Sequence, residues 1–200
     1  MSESDDAAPR TTAAGIFAFD LSDAGPARIA AVQIGDDGVL SGGSDLFSGF
    51  DLDAIWLSRT PPGENPSIGE RLGAFVFDSA HVDFEPGLLT PYRGDFPAEL
   101  QSGRLNGVAS GGGIDFDGVR LDRVDAVANA LGGSLSLGED GRITFTLSAP
   151  VRADGLYLYM AERLANDLPT VDVRGPAGDA IDDASGGAGG TGANGDGGSG

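Results

Sequence analysis

Apolar and polar positions alternate along most of this chain with a period of two. That is the spacing of side chains on the two faces of an extended strand. Gly15–Asp20 sets Phe17 and Phe19 on one face and Ile16 and Ala18 on the other. Arg28–Ile34 predicts a second strand, and Asp36-Asp37-Gly38 a turn after it. Phe50–Leu57 alternates most clearly, with Phe50, Leu52, Ala54 and Trp56 on one face and Asp51, Asp53, Ile55 and Leu57 on the other. Ser58–Glu70 carries three prolines, which a central strand does not accommodate, and reads as a loop.

Further along, Ala74–Phe77 and Val82–Glu85 read as short strands. Ile114–Val124 alternates with a kink at Gly118, and Ser134–Leu137 is short and apolar. Arg142–Ser148 and Gly155–Ala161 read as a strand pair joined by the residues APVRAD, and Thr170–Val173 as the last strand. Helix is expected only as one turn at Pro97–Gln101 and a short piece at Asp125–Leu131, closed by Gly132 and Gly133. About nine or ten short strands separated by Gly/Asp turns predict an all-β fold, an antiparallel β-sandwich or jelly roll. The flanks break the pattern. Residues 1–13 read as a disordered arm, 14–175 as one β-sandwich domain, and 176–200 as a flexible Gly/Asp-rich tail or linker.

Within the domain one segment recurs. Gly38–Leu57 and Gly107–Ala126 match at nine of twenty positions, and each is preceded by G-x-F-x-F-D, at Gly15–Asp20 and Gly73–Asp78. The pattern predicts an internal repeat over 15–57 and 73–126, in which Asp53 matches Asp122 and Phe47 matches Phe116.

Charge narrows the partners. Asp and Glu total 31 against 12 basic residues, all of them arginine, for a net charge of −19. Such a chain repels a phosphate backbone, so no nucleic-acid partner is expected. Anionic membrane surfaces repel it equally, and no apolar run approaches the ~20 residues that span a bilayer. Neutral glycan or protein surfaces and cations remain as partners. Cysteine is absent, which excludes disulfides, thiolate catalysis and cysteine-bound zinc. The residues MSESDDAAPR lack the basic and apolar regions of a secretory signal.

The chemistry best suited to this composition is calcium binding. Ca²⁺ takes six to eight oxygens from carboxylates, carbonyls and water. Asp51 and Asp53 in one segment and Asp115 and Asp117 in the other form D-x-D alternations. Such an alternation sets two carboxylates about 7 Å apart on one strand face. Asp20 and Asp78 end the matched FxFD strands, and Asp45 lies in the intervening loop. These seven residues are the candidate metal ligands, with calcium as the candidate cofactor. The alternative is that they cap turns and face water.

Enzyme readings have less to rest on. His81 is the only histidine, and no G-x-S-x-G elbow accompanies it. No carboxylate pair stands out by spacing as a glycosidase acid and base. In the tail, Gly190–Gly195 fits G-x-G-x-x-G but lacks the strand and helix of a dinucleotide site. The overlapping Gly189–Asn194 resembles the start of the G-G-x-G-x-[DN] nonapeptide of repeats-in-toxin proteins, exported bacterial proteins with calcium-loaded β-rolls. The resemblance covers fewer than ten residues, and Asp196 stands where the motif has a large apolar side chain.

What the resemblance implies is export without an N-terminal signal and a use for calcium. The expected function is therefore a non-catalytic, acidic, extracellular or cell-surface β-module of a bacterial secreted protein, stabilised by calcium. The alternatives are a carbohydrate-binding sandwich using Tyr92, Tyr157 or Tyr159, a carboxylate-dependent glycoside hydrolase, and a cytoplasmic location.

Overall fold

A computed structural model describes residues 10–13, 15–38, 45–63, 70–90, 103–124, 133–162 and 167–177. The described residues form nine strands: β1 (Arg10–Ala13), β2 (Ile16–Asp20), β3 (Arg28–Asp36), β4 (Asp51–Ser58), β5 (Val82–Glu85), β6 (Leu135–Ser136), β7 (Arg142–Arg152), β8 (Tyr157–Glu162) and β9 (Pro169–Arg174). One short 3-10 turn, Asp45–Phe47, precedes β4. The strands make two antiparallel sheets, ordered β1-β2-β8-β4-β6 and β5-β7-β3-β9. Both sheets feed one core. Phe17 and Phe19 of β2 and Leu158 and Met160 of β8 meet Val32 and Ile34 of β3 and Ile143 and Phe145 of β7. This is the all-β sandwich that the alternation predicts.

The strand β4 departs from its expected faces. Register shifts between Leu52 and Ala54, opposite Glu162 and Ala161, so a bulge falls at Asp53. An inserted residue reverses the alternation. Leu52, Ile55 and Leu57 therefore all enter the main core, while Ala54 and Trp56 turn to the other face with Ala18, Tyr159 and Ala161. The bulge also breaks the alternation expected to align Asp51 with Asp53.

The residues read as a strand pair, Arg142–Ser148 and Gly155–Ala161, become β7 and β8 but lie in opposite sheets. Their apolar faces meet across the core instead of their edges meeting in a ladder. Both partners of β7 are distant in sequence: β3 and β5. Pro150, which has no N–H to give, falls where the β3–β7 register shifts between Ile29 and Ala31.

Two predicted strands are not strands. Residues 74–77 run beside β7, where Ser148 N donates to Ala74 O at 2.9 Å. Phe75 and Phe77 set their rings edge-on to Phe145, at 5.3 and 6.1 Å between centroids. Their alternation reflects packing on a sheet face, not membership of it. Residues 114–124 form turns with bridges at Ile114 and Val119. Residues 10–13, placed in the N-terminal arm by composition, pair with β2 as an edge strand. The helical pieces expected at 97–101 and 125–131 and the tail beyond 177 lie outside the described residues.

The doubled segment is not a doubled fold. Asp53 is buried in β4, whereas Asp122 is exposed in a turn. Phe47 ends the 3-10 turn, whereas Phe116 sits in a turn of another kind. Gly15–Asp20 leads into β2, but Gly73–Asp78 is irregular. The copies share local chemistry: Leu52 and Leu121 are both buried, and Gly38 and Gly107 both have positive φ, 69° and 76°. The second copy packs on the first, with Ile55 N donating to Leu121 O at 3.0 Å. Together with the Leu57–Leu72 bridge, this covers the edge of β4 beyond β6.

Candidate functional site

The densest polar structure lies at one end of the sandwich, where the chain around 36–38, 45–50, 87–90 and 137–141 converges. Its hub is Asp36, the last residue of β3, only 8% exposed. Asp36 Oδ1 accepts from Gly38 N at 2.9 Å and Asp140 N at 3.2 Å, and Oδ2 accepts from Phe50 N at 2.9 Å. One side chain thus joins the ends of β3, β4 and β7. Burial pushes its carboxyl above the ordinary 3.8, against the pull of the three amides and with some help from Asp37.

Close approach of main chains makes the junction. Gly87 N donates to Leu137 O, Gly138 N to Ser48 O, and Leu88 and Glu139 exchange both of their hydrogen bonds. A Cβ on Gly87 would collide with the carbonyl of Glu139, and one on Gly49 with that of Gly138. Gly49 also has φ of +68°.

A second ring of bonds hangs on this frame. Asp45 N donates to Thr90 O at 2.9 Å, Thr90 N to Ser48 Oγ at 2.9 Å, and Ser48 Oγ to Asp45 O at 2.8 Å. Thr90 Oγ1 then donates to Glu139 Oε1 at 2.6 Å. Thr90 therefore holds two acidic residues, Asp45 through its carbonyl and Glu139 through its hydroxyl. Asp45 has φ of 53°, a left-handed conformation that Asp tolerates better than most side chains.

The seven expected ligands do not gather. Asp20 and Asp78 are exposed and bind main-chain amides, of Ser22 and of Ala80 and His81 respectively. Asp78 Oδ1 also accepts from His81 Nδ1 at 2.8 Å. Asp115 is exposed and accepts from Gly118 N, and Asp117 is exposed beside it. Asp51 and Asp53 are buried in β4, with Asp51 Oδ1 bonded by Ser136 Oγ. Only Asp45 belongs to the junction, where Oδ1 accepts from Gly103 N at 3.2 Å. Among the described residues, no group of three or more His, Asp or Glu side chains is placed to hold a metal ion.

Sequence reasoning missed Asp36 and Glu139. Both sit in Gly-flanked acidic turns, DDG and GEDG, and such turns read as solvated. Nothing in those short stretches announces burial.

Elsewhere, the outer face of the five-stranded sheet carries Trp56 and Tyr159. Tyr159 is fully buried, and its hydroxyl donates to Thr60 O at 2.7 Å. Tyr157 packs beside it, and Tyr92 lies outside the described residues. Neither Trp56 nor Tyr159 is open to a sugar ring. Next to the junction an open groove of about 430 Å³ is lined by Leu88, Leu89, Leu105, Val108 and Arg104, among others, and no described lining residue is acidic. Among the described residues no helix is long and apolar enough to cross a membrane. Comparison with protein-family models, characterised proteins and solved structures finds no match for this chain.

Proposed function

We propose that this chain is a non-catalytic, acidic β-sandwich module of a bacterial secreted or cell-surface protein, stabilised by calcium. The observation that carries the reading is how the acidic side chains are used. Asp36 gives both carboxylate oxygens to main-chain amides of three segments, which is a structural task. Asp20, Asp78 and Asp115 likewise hold turns. Acidic surface with no lysine, and a Gly-rich flank that resembles the start of a calcium-binding nonapeptide, support an exported protein.

The test is to melt the full chain in excess CaCl₂ and again in chelator. A ligand bound by the native state alone raises the midpoint. Equal midpoints remove calcium from the reading. Fractionation of the source cells tests the location: recovery in the cytosol alone overturns an extracellular module.

A further inference from the structure

Two carboxylate oxygens of the junction are buried and accept no hydrogen bond from the described residues. Glu139 is 6% exposed, and its Oε2 is buried without a hydrogen-bond partner. Asp45 Oδ2 is likewise buried and unpartnered. Each of the two side chains has its other oxygen already fixed, Glu139 Oε1 by Thr90 Oγ1 and Asp45 Oδ1 by Gly103 N. Neither carboxylate can turn outward without breaking that bond. Thr90 bonds to both residues, its carbonyl accepting from Asp45 N and its hydroxyl donating to Glu139 Oε1.

An unpaired buried carboxylate is strongly unfavourable unless a proton, a cationic side chain or a metal ion neutralises it. Among the described residues, Arg123 and Arg142 pair with Asp122 and Glu85 rather than with these two acids. A chain of net charge −19 raises the local concentration of cations and disfavours anions. Hard carboxylate, hydroxyl and carbonyl oxygens, with no His or Cys among them, select a hard cation over a transition metal. The Ser48 and Thr90 oxygens and the loop carbonyls lie within the same ring of bonds.

We infer that Glu139 Oε2 and Asp45 Oδ2 are the anionic ligands of one calcium ion, which clamps the turn before β7 to the 3-10 turn before β4. Neutral junction oxygens and water complete its shell. The inference rests on the calcium reading above and gives that reading a single address. It also makes Asp45 the one member of the seven sequence candidates that binds metal.

The experiment is calorimetric titration of CaCl₂ into the chelator-treated full chain, repeated for Glu139→Gln and Asp45→Asn, with melts of all three proteins. Both substitutions keep shape and the existing hydrogen bond, and Asn tolerates positive φ as Asp does. Wild type is expected to take up one calcium and, at free calcium about a hundredfold above Kd, to melt about 5–10 °C higher. Both variants are expected to lose uptake at least about tenfold and to lose the midpoint shift, in line with removal of a charged ligand. Glu139→Gln is further expected to melt no lower than wild type in chelator, because it removes a buried charge.

Wild type that takes up no calcium overturns this site and the calcium reading together. Wild type that binds calcium, with both variants binding equally well, overturns this site alone. An equal response to MgCl₂ overturns the choice of calcium.

Discussion

Trp56 lies flat against Tyr159, with ring centroids 5.3 Å apart and planes 7° from parallel. The Arg71 guanidinium carbon sits over the Trp56 ring, 4.2 Å from its centroid. These contacts help cover the outer face of β4 and β8. Trp56→Ala is expected to cost about 3–5 kcal/mol, as large aromatic truncations do. Tyr159→Phe removes only the bond to Thr60 and costs about 0.5–1.5 kcal/mol. Urea unfolding of the two variants tests the ranking, and a larger loss from Tyr159→Phe would contradict it. Trp56 is the sole tryptophan, so acrylamide quenching reads this site alone. Quenching is expected to be weak in the native chain and unchanged by soluble oligosaccharides.

Asp36→Asn tests the hub. Asn offers one acceptor oxygen where three amides now use two, so at least one buried N–H is left without its acceptor. The expected loss is about 1–3 kcal/mol, read from denaturant midpoints. A variant as stable as wild type would show that the amides find other acceptors.

Gly87 tests the close approach. Its alanine variant drives Cβ into the Glu139 carbonyl, and overpacking of this kind costs about 1–3 kcal/mol. Gly111 has open space around its would-be Cβ and no positive φ, so Gly111→Ala is expected to be neutral. Equal melting points for the two variants would remove the steric account.

Asp36 and Asp78 both accept the amide two residues on, yet they are expected to titrate in opposite directions. The His81 hydrogen bond, with help from the Ala80 and His81 amides, holds Asp78 below 3.8. Its contribution to stability is present above pH 3.8 and is lost as pH falls through its lower folded value. Burial holds Asp36 above 3.8, so the folded chain keeps that proton in a window where the unfolded chain has released it. That contribution favours folding at the acid end and is withdrawn as pH rises through the folded value. Carboxyl-carbon NMR titration should place the two midpoints on opposite sides of 3.8. His81→Ala should move Asp78 upward and leave Asp36 unchanged.

How much of this was readable depended on whether the cause was local. β2 and β5 were legible because Phe17/Phe19 and Val82/Phe84 alternate over a whole strand and stop at turn residues. The bulge at Asp53 was not, because Ala54-Ile55-Trp56-Leu57 is apolar on both faces and fits either phase. The separation of β7 from β8 was not, since a six-residue connection serves a hairpin or an arch between sheets equally well. Phe75 and Phe77 alternate correctly but answer to Phe145 across space. The junction was least legible. Asp36 and Glu139 are buried by chain segments that meet them from far along the sequence, and no window around either residue contains that information.

The strand order has a consequence for how the protein is made. β8, residues 157–162, is the sole described partner joining β2 to β4, which end at residues 20 and 58. During synthesis both early strands therefore leave the ribosome with an open edge and wait, β4 through about 100 residues and β2 through about 140, seconds to tens of seconds at cellular rates, for the strand that unites them. Pairing over such separations is slow even in the finished chain. The steep negative charge, unhelpful to a folded core, then serves the unfinished one: it keeps waiting nascent chains apart.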